Sequence, residues 1–173
     1  ESIVTPTISE GTPIVMVEEP LISPGWLTND PLCDNSWNRW YRFANTRGYF
    51  HYVTMNIQLS EYPTNSGIWR PVLPIAGKWR VEMYNSRHQN FYLPCLQYAL
   101  SADTSSATYI IFHSSGKTQT IVDQELGGNT WIELGTYHFG KGSDGYVYLD
   151  NLTAEKTNER YVTFSPIRFV YAE

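Results

Sequence analysis

The chain has 173 residues, of which 17% are charged and 15% aromatic, and its formal net charge is −5. This length suits one domain with its own core, and the aromatic-rich, charge-poor composition excludes a disordered chain. The negative charge and the scattered basic residues disfavour a nucleic-acid partner and an anionic membrane surface, and no apolar run is long enough to span a bilayer.

The first segment, residues 1–13, is rich in Thr, Ser and Pro and has no hydrophobic periodicity. That composition is typical of a linker. We therefore divide the chain into a linker over residues 1–13 and a single domain over residues 14–173. We expect another part of a larger protein to precede this linker.

Short strand candidates separated by turn residues follow the linker. The first is the apolar run 14–18, and aromatic-rich candidates occupy 37–43, 49–59 and 67–73. The next candidate, 77–84 (GKWRVEMY), alternates apolar and charged residues. This alternation predicts a strand with one buried face.

The second half continues the pattern, with strand candidates at 107–113, 118–124, 130–139, 146–149 and 161–171. Pro166 lies inside the last candidate, so an edge position or a bulge is expected there. The stretch 152–160 is the only helix-prone segment, and it is short and polar. Strands without crossover helices predict an all-β fold, an antiparallel β-sandwich of jelly-roll type with few or no helices.

Several motifs follow one another in a particular order along the chain. GIWRPVLP (67–74) precedes AGKWRVEMY (76–84), and ATYIIFHSSGKTQTIVDQ (107–124), TWIELGTYHFGKGSDGYVYLDN (130–151) and IRFVYAE (167–173) follow. In this order they resemble the golvesin C-terminal-like domain, also described as a xanthan-lyase-type carbohydrate-binding-like domain. The resemblance implies a β-sandwich module appended to extracellular hydrolases, lyases and other surface proteins.

The chain departs from the family pattern in two respects. Ser165 stands where the family usually has an Asp three residues before the closing Arg. Segments 26–41 and 85–96 have little counterpart in the family, and each contains a cysteine.

Cys33 and Cys95 are the two cysteines of the chain. In a secreted domain they would form a disulfide, worth about 4 kcal/mol for a loop of this length, and two free thiols are the alternative. We infer that this disulfide joins the two segments that depart from the family pattern. Neither cysteine lies in a CxxC motif or a Cys/His cluster, so zinc is not expected.

Catalytic signatures are absent from the sequence. The four histidines form no HExxH motif, and there is no GxSxG, GxGxxG or P-loop. We therefore expect no enzyme activity, with a small hydrolase whose carboxylates meet in space as the alternative. No metal or other cofactor is predicted; structural calcium is common in such modules, but no Asp-rich loop demands it here.

The residue types favour sugar binding, because the apolar faces of sugar rings stack on flat aromatic side chains while polar neighbours bind the hydroxyls. The stretch 33–43 (CDNSWNRWYRF) has this mixture. The candidate ligand-binding residues are Asp34, Trp37, Asn38, Arg39, Trp40 and Tyr41 in this stretch, and Tyr49, Tyr52, His88, Tyr92 and His113 elsewhere. The alternative is structural: Trp37 and Trp40 would close the end of the sandwich, and His113 would be a hydrogen-bonded structural histidine.

These observations predict a secreted or cell-surface, non-catalytic module that binds a polysaccharide or glycan through exposed aromatic residues. We expect it to be covalently linked to a larger extracellular protein and monomeric as an isolated domain. The alternative is a protein-interaction, structural or sensory ectodomain module, which would present an apolar patch instead.

Overall fold

A computed structural model of the chain describes residues 11–24, 40–44, 48–86, 102–126 and 128–173. Within these ranges it contains β-strands and no helix. The strands are β1 (Ile14–Val17), β2 (Leu21–Ser23), β3 (Tyr41–Ala44), β4 (Phe50–Met55), β5 (Ile57–Gln58), β6 (Ser66–Trp69), β7 (Gly77–Asn85), β8 (Ala107–His113), β9 (Gly116–Val122), β10 (Thr130–Phe139), β11 (Tyr146–Asp150), β12 (Leu152–Thr153), β13 (Tyr161–Phe164) and β14 (Ile167–Tyr171).

Two antiparallel sheets form the layers of a sandwich. The four-stranded sheet has the order β1-β14-β7-β10, and the five-stranded sheet has the order β2-β6-β11-β8-β9. A three-stranded sheet, β13-β4-β3, and a short parallel pair, β5-β12, complete the described part. The predicted all-β, sandwich-like fold is therefore confirmed.

The core lies between the two main sheets, and the strand alternation explains which residues fill it. In β7, Trp79, Val81 and Met83 are buried, as the sequence pattern predicts. On the opposite face Lys78 is exposed and Arg80 is half-buried, whereas Glu82 is buried because Arg80 and Arg168 bind its carboxylate. The five-stranded sheet contributes inward residues to the same cluster, among them Trp69 and Tyr109. Burial of large aromatic side chains from both layers is the main force that holds the sheets together.

The predicted last strand, 161–171, is two strands that belong to different sheets. β13 pairs with β4 in the three-stranded sheet, whereas β14 pairs with β7 and β1 in the four-stranded sheet. Pro166 lies between them, and its carbonyl accepts a hydrogen bond of 2.9 Å from the backbone N–H of Tyr84. Because proline has no N–H to donate, it occupies the break where the chain changes sheet rather than an edge or a bulge.

The helix-prone stretch 152–160 forms no helix, because the buried side chain of Asn56 binds its backbone. Asn56 Nδ2 donates to Thr153 Oγ1 and to two backbone carbonyl oxygens further along, at 2.8, 3.2 and 2.9 Å. Its Oδ1 accepts from two backbone N–H groups at 3.0 and 2.9 Å. These bonds replace the intrasegment hydrogen bonds that a helix would make.

A second buried amide, that of Asn151, joins neighbouring loops at the same end of the sandwich. Its Oδ1 accepts from the backbone N–H groups of Thr64 and Asn65 at 3.0 and 3.1 Å. Its Nδ2 donates to Met55 O and Thr64 Oγ1, both at 2.9 Å. Asn151 begins an Asn-x-Thr glycosylation motif, but in the fold its amide is enclosed and fully hydrogen-bonded.

The carboxylate of Glu155 anchors the loop before β8. It accepts hydrogen bonds from Thr104 Oγ1 at 2.8 Å, Ser105 N at 2.8 Å, Ser105 Oγ at 2.9 Å and Ser106 Oγ at 3.1 Å. Burial alone would raise the pKa of this carboxyl, but the hydrogen bonds to its ionised form outweigh burial and lower the pKa to about 2.

Replacing Asn56 with Ala should destabilise the domain by about 3 kcal/mol, because buried backbone groups of the segment 152–160 lose their partners. Urea unfolding of Asn56→Ala measures this difference. The control is Gln119→Ala, since Gln119 is exposed, and a surface change of this kind should stay within about 0.5 kcal/mol. Equal effects of the two substitutions would contradict the structural role of Asn56.

Glu155 should make stability depend on acid pH. Its folded pKa of about 2 lies below the usual glutamate value of 4.5, so the stabilisation is complete above about pH 4.5 and is lost as the pH falls toward 2. Glu155→Gln should therefore cost about 1 kcal/mol at pH 7, a modest value because the carboxylate is partly exposed. In urea unfolding, the difference between variant and wild type should shrink from pH 7 to pH 3; a difference that stays constant would exclude this role.

Candidate functional site

A cleft of about 610 Å³ opens at one end of the sandwich, which we call the cleft end. It lies between the tip of the β8–β9 hairpin and the loop 140–145 that joins β10 to β11. Its lining residues are Phe112, His113, Ser114, Gly116, Lys117, Phe139, Gly140, Asp144, Gly145 and Tyr146.

Backbone hydrogen bonds hold both walls of the cleft. The N–H of Ser114 at the hairpin tip donates to His138 O of β10 at 2.9 Å. On the other wall, Gly142 and Leu73 exchange two backbone hydrogen bonds of 2.9 Å each. The hairpin tip is therefore tied to β10, and the loop 140–145 is tied to the loop that follows β6.

Glycine is required at one point of the cleft. A Cβ atom on Gly145 would lie 2.3 Å from Cδ1 of Phe139 and 3.1 Å from the backbone oxygen of Phe112. Phe139 is buried in the core and the second contact is backbone, so neither can move away cheaply. The glycine-rich motif GKGSDG thus lets the loop lie close against the strand ends.

Two aromatic rings stack on the outer face of the five-stranded sheet beside the cleft. Phe112 of β8 is paired with Tyr146 of β11, and their ring centroids are 4.3 Å apart with an interplanar angle of 17°. The guanidinium carbon of Arg70 lies 4.3 Å from the Tyr146 centroid. Arg70 follows β6, on the far side of β11 from β8, so Arg70 and Phe112 cover opposite faces of Tyr146.

The second face of Phe112 is directed toward β9. Lys117 of β9 is the cross-strand partner of Phe112. Among the described residues, no other ring or cation stacks on Phe112. The cleft therefore contains one flat aromatic face that is free to contact a ligand.

Two charged side chains line the same cleft. Lys117 and Asp144 both line the cleft and are exposed. Within the described part of the chain neither forms an ion pair. Both are therefore available to bind polar groups of a ligand.

His113 is the one predicted binding residue that lines the cleft, and its ring is already engaged. It stacks on Tyr137 at 4.7 Å between ring centroids, with an interplanar angle of 12°. Its Nδ1 accepts from Ser115 N at 3.3 Å, so its proton is assigned to Nε2, which lies 2.9 Å from Thr118 Oγ1. These contacts favour the structural interpretation of His113.

The prediction that Trp40 is an exposed binding residue is wrong. Its side chain is 0% exposed and packs edge-on against Tyr52 and Phe164, with centroids 6.2 and 4.8 Å away. With the Asn65 amide oriented so that its oxygen accepts, Trp40 Nε1 lies 3.1 Å from that oxygen. Trp40 therefore closes part of the core, because its indole finds both apolar contacts and a buried acceptor.

Tyr52 is also buried rather than exposed, so its prediction as a surface binding residue is wrong too. Its hydroxyl donates to Glu19 Oε2 at 2.5 Å. Burial, together with the negative charge and hydrogen bond of Glu19, raises the pKa of Tyr52 to about 12. Tyr52 joins the connection before β2 to the three-stranded sheet.

Two other predicted aromatic residues lie away from the cleft. Tyr41 is half-buried and packs on the second face of the three-stranded sheet, against Val53 and Tyr161. Tyr49 is half-buried, and its ring centroid lies 5.1 Å from that of Tyr84 and 6.3 Å from that of Trp131.

The remaining predicted residues lie outside the described ranges, and their roles stay predictions. They are Asp34, Trp37, Asn38, Arg39, His88 and Tyr92, together with the predicted disulfide partners Cys33 and Cys95. Ser165, the position of the family Asp, is described: it is buried, its hydroxyl lies 3.3 Å from that of Ser86, and it is at the end opposite the cleft.

Sequence reasoning missed Phe112, Lys117, Asp144 and Tyr146. The usable signal was the alternation of β8: Tyr109 and Ile111 point inward, so Phe112 must point outward. A large aromatic residue at an outward position next to a turn indicates a surface role.

The described residues contain no cluster of three or more His, Cys, Asp or Glu side chains arranged to hold a metal ion. A search of the same residues for a helix long and apolar enough to cross a membrane also finds none.

Comparison with known proteins identifies the family of the domain. A xanthan lyase of Bacillus sp. (strain GL1) is 36% identical over 107 residues, which is 62% of this chain and 10% of that protein. The crystal structure of Paenibacillus xanthan lyase matches 91% of this chain and 13% of its own with a TM-score of 0.60 and 21% identity. The chain thus spans about a tenth of the length of these relatives.

The family model of the golvesin C-terminal domain matches residues 33–171. This range includes the motifs from GIWRPVLP to IRFVY, the strands of the five-stranded sheet from β6 onward, and every residue that lines the cleft. The chain belongs to the golvesin C-terminal domain family.

Proposed function

We propose that this domain is a non-catalytic, extracellular module that binds a polysaccharide at the cleft and holds a larger protein to that polymer. The observation that carries this proposal is the free face of Phe112 in a cleft with fixed walls. The exposed side chains of Lys117 and Asp144 line the same cleft.

The geometry suits a single sugar ring. A pyranose has an apolar C–H face that can stack on Phe112, while its hydroxyl groups lie at the rim. A carboxylate such as Asp144 accepts hydrogen bonds from hydroxyls, and an ammonium such as Lys117 donates to them. Because backbone hydrogen bonds hold both walls, the site should lose little conformational entropy on binding.

The composition of the cleft supports a binding role rather than a catalytic one. Hydrolysis of a glycosidic bond by the common mechanism requires two carboxyl groups placed about 5–10 Å apart. Asp144 is the only carboxylate among the residues that line this cleft. His113, the other group there that could move a proton, has partners on both ring nitrogens.

The relatives support the ligand class. The name of xanthan lyase states that it acts on a polysaccharide, and this chain corresponds to a small part of that protein. A domain of this kind can serve the larger protein by raising its local concentration on the polymer. This is also the basis for proposing an extracellular location.

Replacing Phe112 with Ala should weaken polysaccharide binding at least about fivefold. The estimate follows from the roughly 1–3 kcal/mol that loss of a stacking aromatic side chain costs in single-stranded nucleic-acid complexes. Affinity gel electrophoresis against a panel of neutral and acidic polysaccharides, xanthan among them, measures retention. Phe112→Leu should show the same loss, because it keeps an apolar side chain against Tyr146 but removes the flat face.

The matched control is Tyr62→Ala. Tyr62 is an aromatic residue that is 90% exposed and lies at the end opposite the cleft, so its removal should leave retention unchanged. The proposed function fails if the wild-type domain is retained by no polymer of the panel. It fails equally if both Phe112 variants bind as the wild type does.

A further inference from the structure

The cations of the described residues are distributed unevenly. Four of them have a carboxylate partner within ion-pair distance: Arg42, Arg80, Arg160 and Arg168. Five have none: Arg70, Lys78, Lys117, Lys141 and Lys156. Of these five, only Lys156 lies away from the cleft end.

Strand order and direction place the other four at the cleft end. Lys117 lies in β9 opposite Phe112, and Arg70 follows β6 and covers Tyr146. Lys141 lies in the loop 140–145, and Lys78 near the start of β7 is paired with His138 near the end of β10.

Few carboxylates accompany these cations. Asp144 and Glu173 are the acidic residues in the described loops and strand ends of the cleft end. The carboxylates of the opposite end are Glu61, Asp103, Asp123, Glu125, Asp150, Glu155 and Glu159. Four cations against two carboxylates make the cleft end positive, although the whole chain carries a net charge of −5.

The two ends are far enough apart to act separately. β8 and β9, the strands that carry Phe112 and Lys117, run between them with seven residues each, which at about 3.3 Å per residue is roughly 20 Å. The Debye length is about 8 Å at physiological ionic strength, so an anion at the cleft is largely screened from the acidic end.

We propose that the polysaccharide bound at the cleft is anionic and carries carboxylate groups, as uronic acid residues do. This inference rests on the proposed function and names its ligand class. Lys117 makes the direct contact, because its cross-strand position puts its ammonium group beside a sugar that stacks on Phe112. Lys78 and Lys141 attract the polymer through their field, which raises the association rate and falls with added salt.

Arg70 has a different part in this site. Its guanidinium is held by Tyr146 and by a hydrogen bond of 2.8 Å from Nη1 to the carbonyl oxygen of Ser143. It therefore positions Tyr146 and the loop 140–145 and adds its charge to the cleft end. Lys117 is not held in this way, so its ammonium group is free to bind a carboxylate.

The experiment compares matched polymers. Xanthan, alginate and polygalacturonate are each tested beside a carboxyl-reduced form of the same polymer, with dextran sulfate as a sulfated polyanion and vesicles of anionic phospholipid as a membrane surface. Retention of the wild-type domain is measured at low and at physiological salt. The expected result is retention by at least one carboxylated polymer, weakened at least about fivefold by carboxyl reduction and weakened by salt.

Substitutions of lysines then test whether the carboxylate groups of the polymer bind at the cleft end. Lys117→Gln should weaken binding of the retained polymer about fivefold or more, and Lys117→Gln with Lys141→Gln should also reduce the salt dependence. Lys156→Gln is the matched control, because it removes an equally unpaired lysine from the opposite end, and it should change neither property.

The results that would contradict the anionic ligand differ from those that would contradict the proposed function. If carboxyl reduction leaves retention unchanged while Phe112→Ala abolishes it, the proposed function stands and the anionic ligand is excluded. If dextran sulfate or the vesicles alone are bound, the carboxylated ligand is excluded. If no polymer is retained at all, the proposed function falls with the inference.

Discussion

The strict alternation of inward and outward side chains along the strands of the five-stranded sheet is the constraint on which the site depends. Tyr109 and Ile111 of β8 and Val147 and Leu149 of β11 are all buried in the core. A slip of either strand by one residue would expose these side chains, so the register of the pair is strongly fixed. Phe112 and Tyr146, which continue the two strands at their shared end, are therefore forced outward and opposite each other.

The same constraint explains why the cleft has only one free aromatic face. Rings on neighbouring strands of a sheet are about 4.8 Å apart and stack against each other. Tyr146 is covered by Phe112 on one side and by Arg70 on the other. Phe112 has no aromatic neighbour on its other side because β9 places Lys117 there. Stacking thus orders the pair and covers both faces of Tyr146, and Phe112 keeps the one face of the pair that has no stacking partner among the described residues.

The two ends of the sandwich are stabilised by different chemistry. At the end opposite the cleft, the buried amides of Asn56 and Asn151 and the carboxylate of Glu155 bind loop backbone and hydroxyl groups, so their polar capacity is used inside the protein. At the cleft end, backbone pairing and the missing side chain of Gly145 shape the loop. Among the described residues Lys117 and Asp144 of the cleft form no ion pair, so stability and the proposed binding do not compete for these two side chains.

Much of the fold could be predicted from the sequence, whereas little of the site could. The alternation of apolar and polar residues predicted β7, β8 and β10, and in β8 the buried residues recur at every second position. It did not show that Pro166 separates strands of two sheets, since that depends on which partners β13 and β14 find. The density of aromatic and polar residues drew attention to 33–43, yet Trp40 is buried there. Phe112 and Tyr146 lie 34 positions apart in the chain, and only the strand register makes them a pair.

The charge of the cleft end shows why the net charge of the whole chain is a poor guide to the charge of its ligand. From composition, a chain of net charge −5 disfavours anionic partners. Ion pairing, however, already occupies four of the described arginines, and most of the described loop carboxylates lie at the opposite end, roughly 20 Å from the cleft, which is about two screening lengths. The field that a polymer meets is set by the unpaired charges near its site, and at the cleft end these are mainly lysines. The acidic end repels the same polymer, so it favours an approach in which the cleft end faces the polysaccharide.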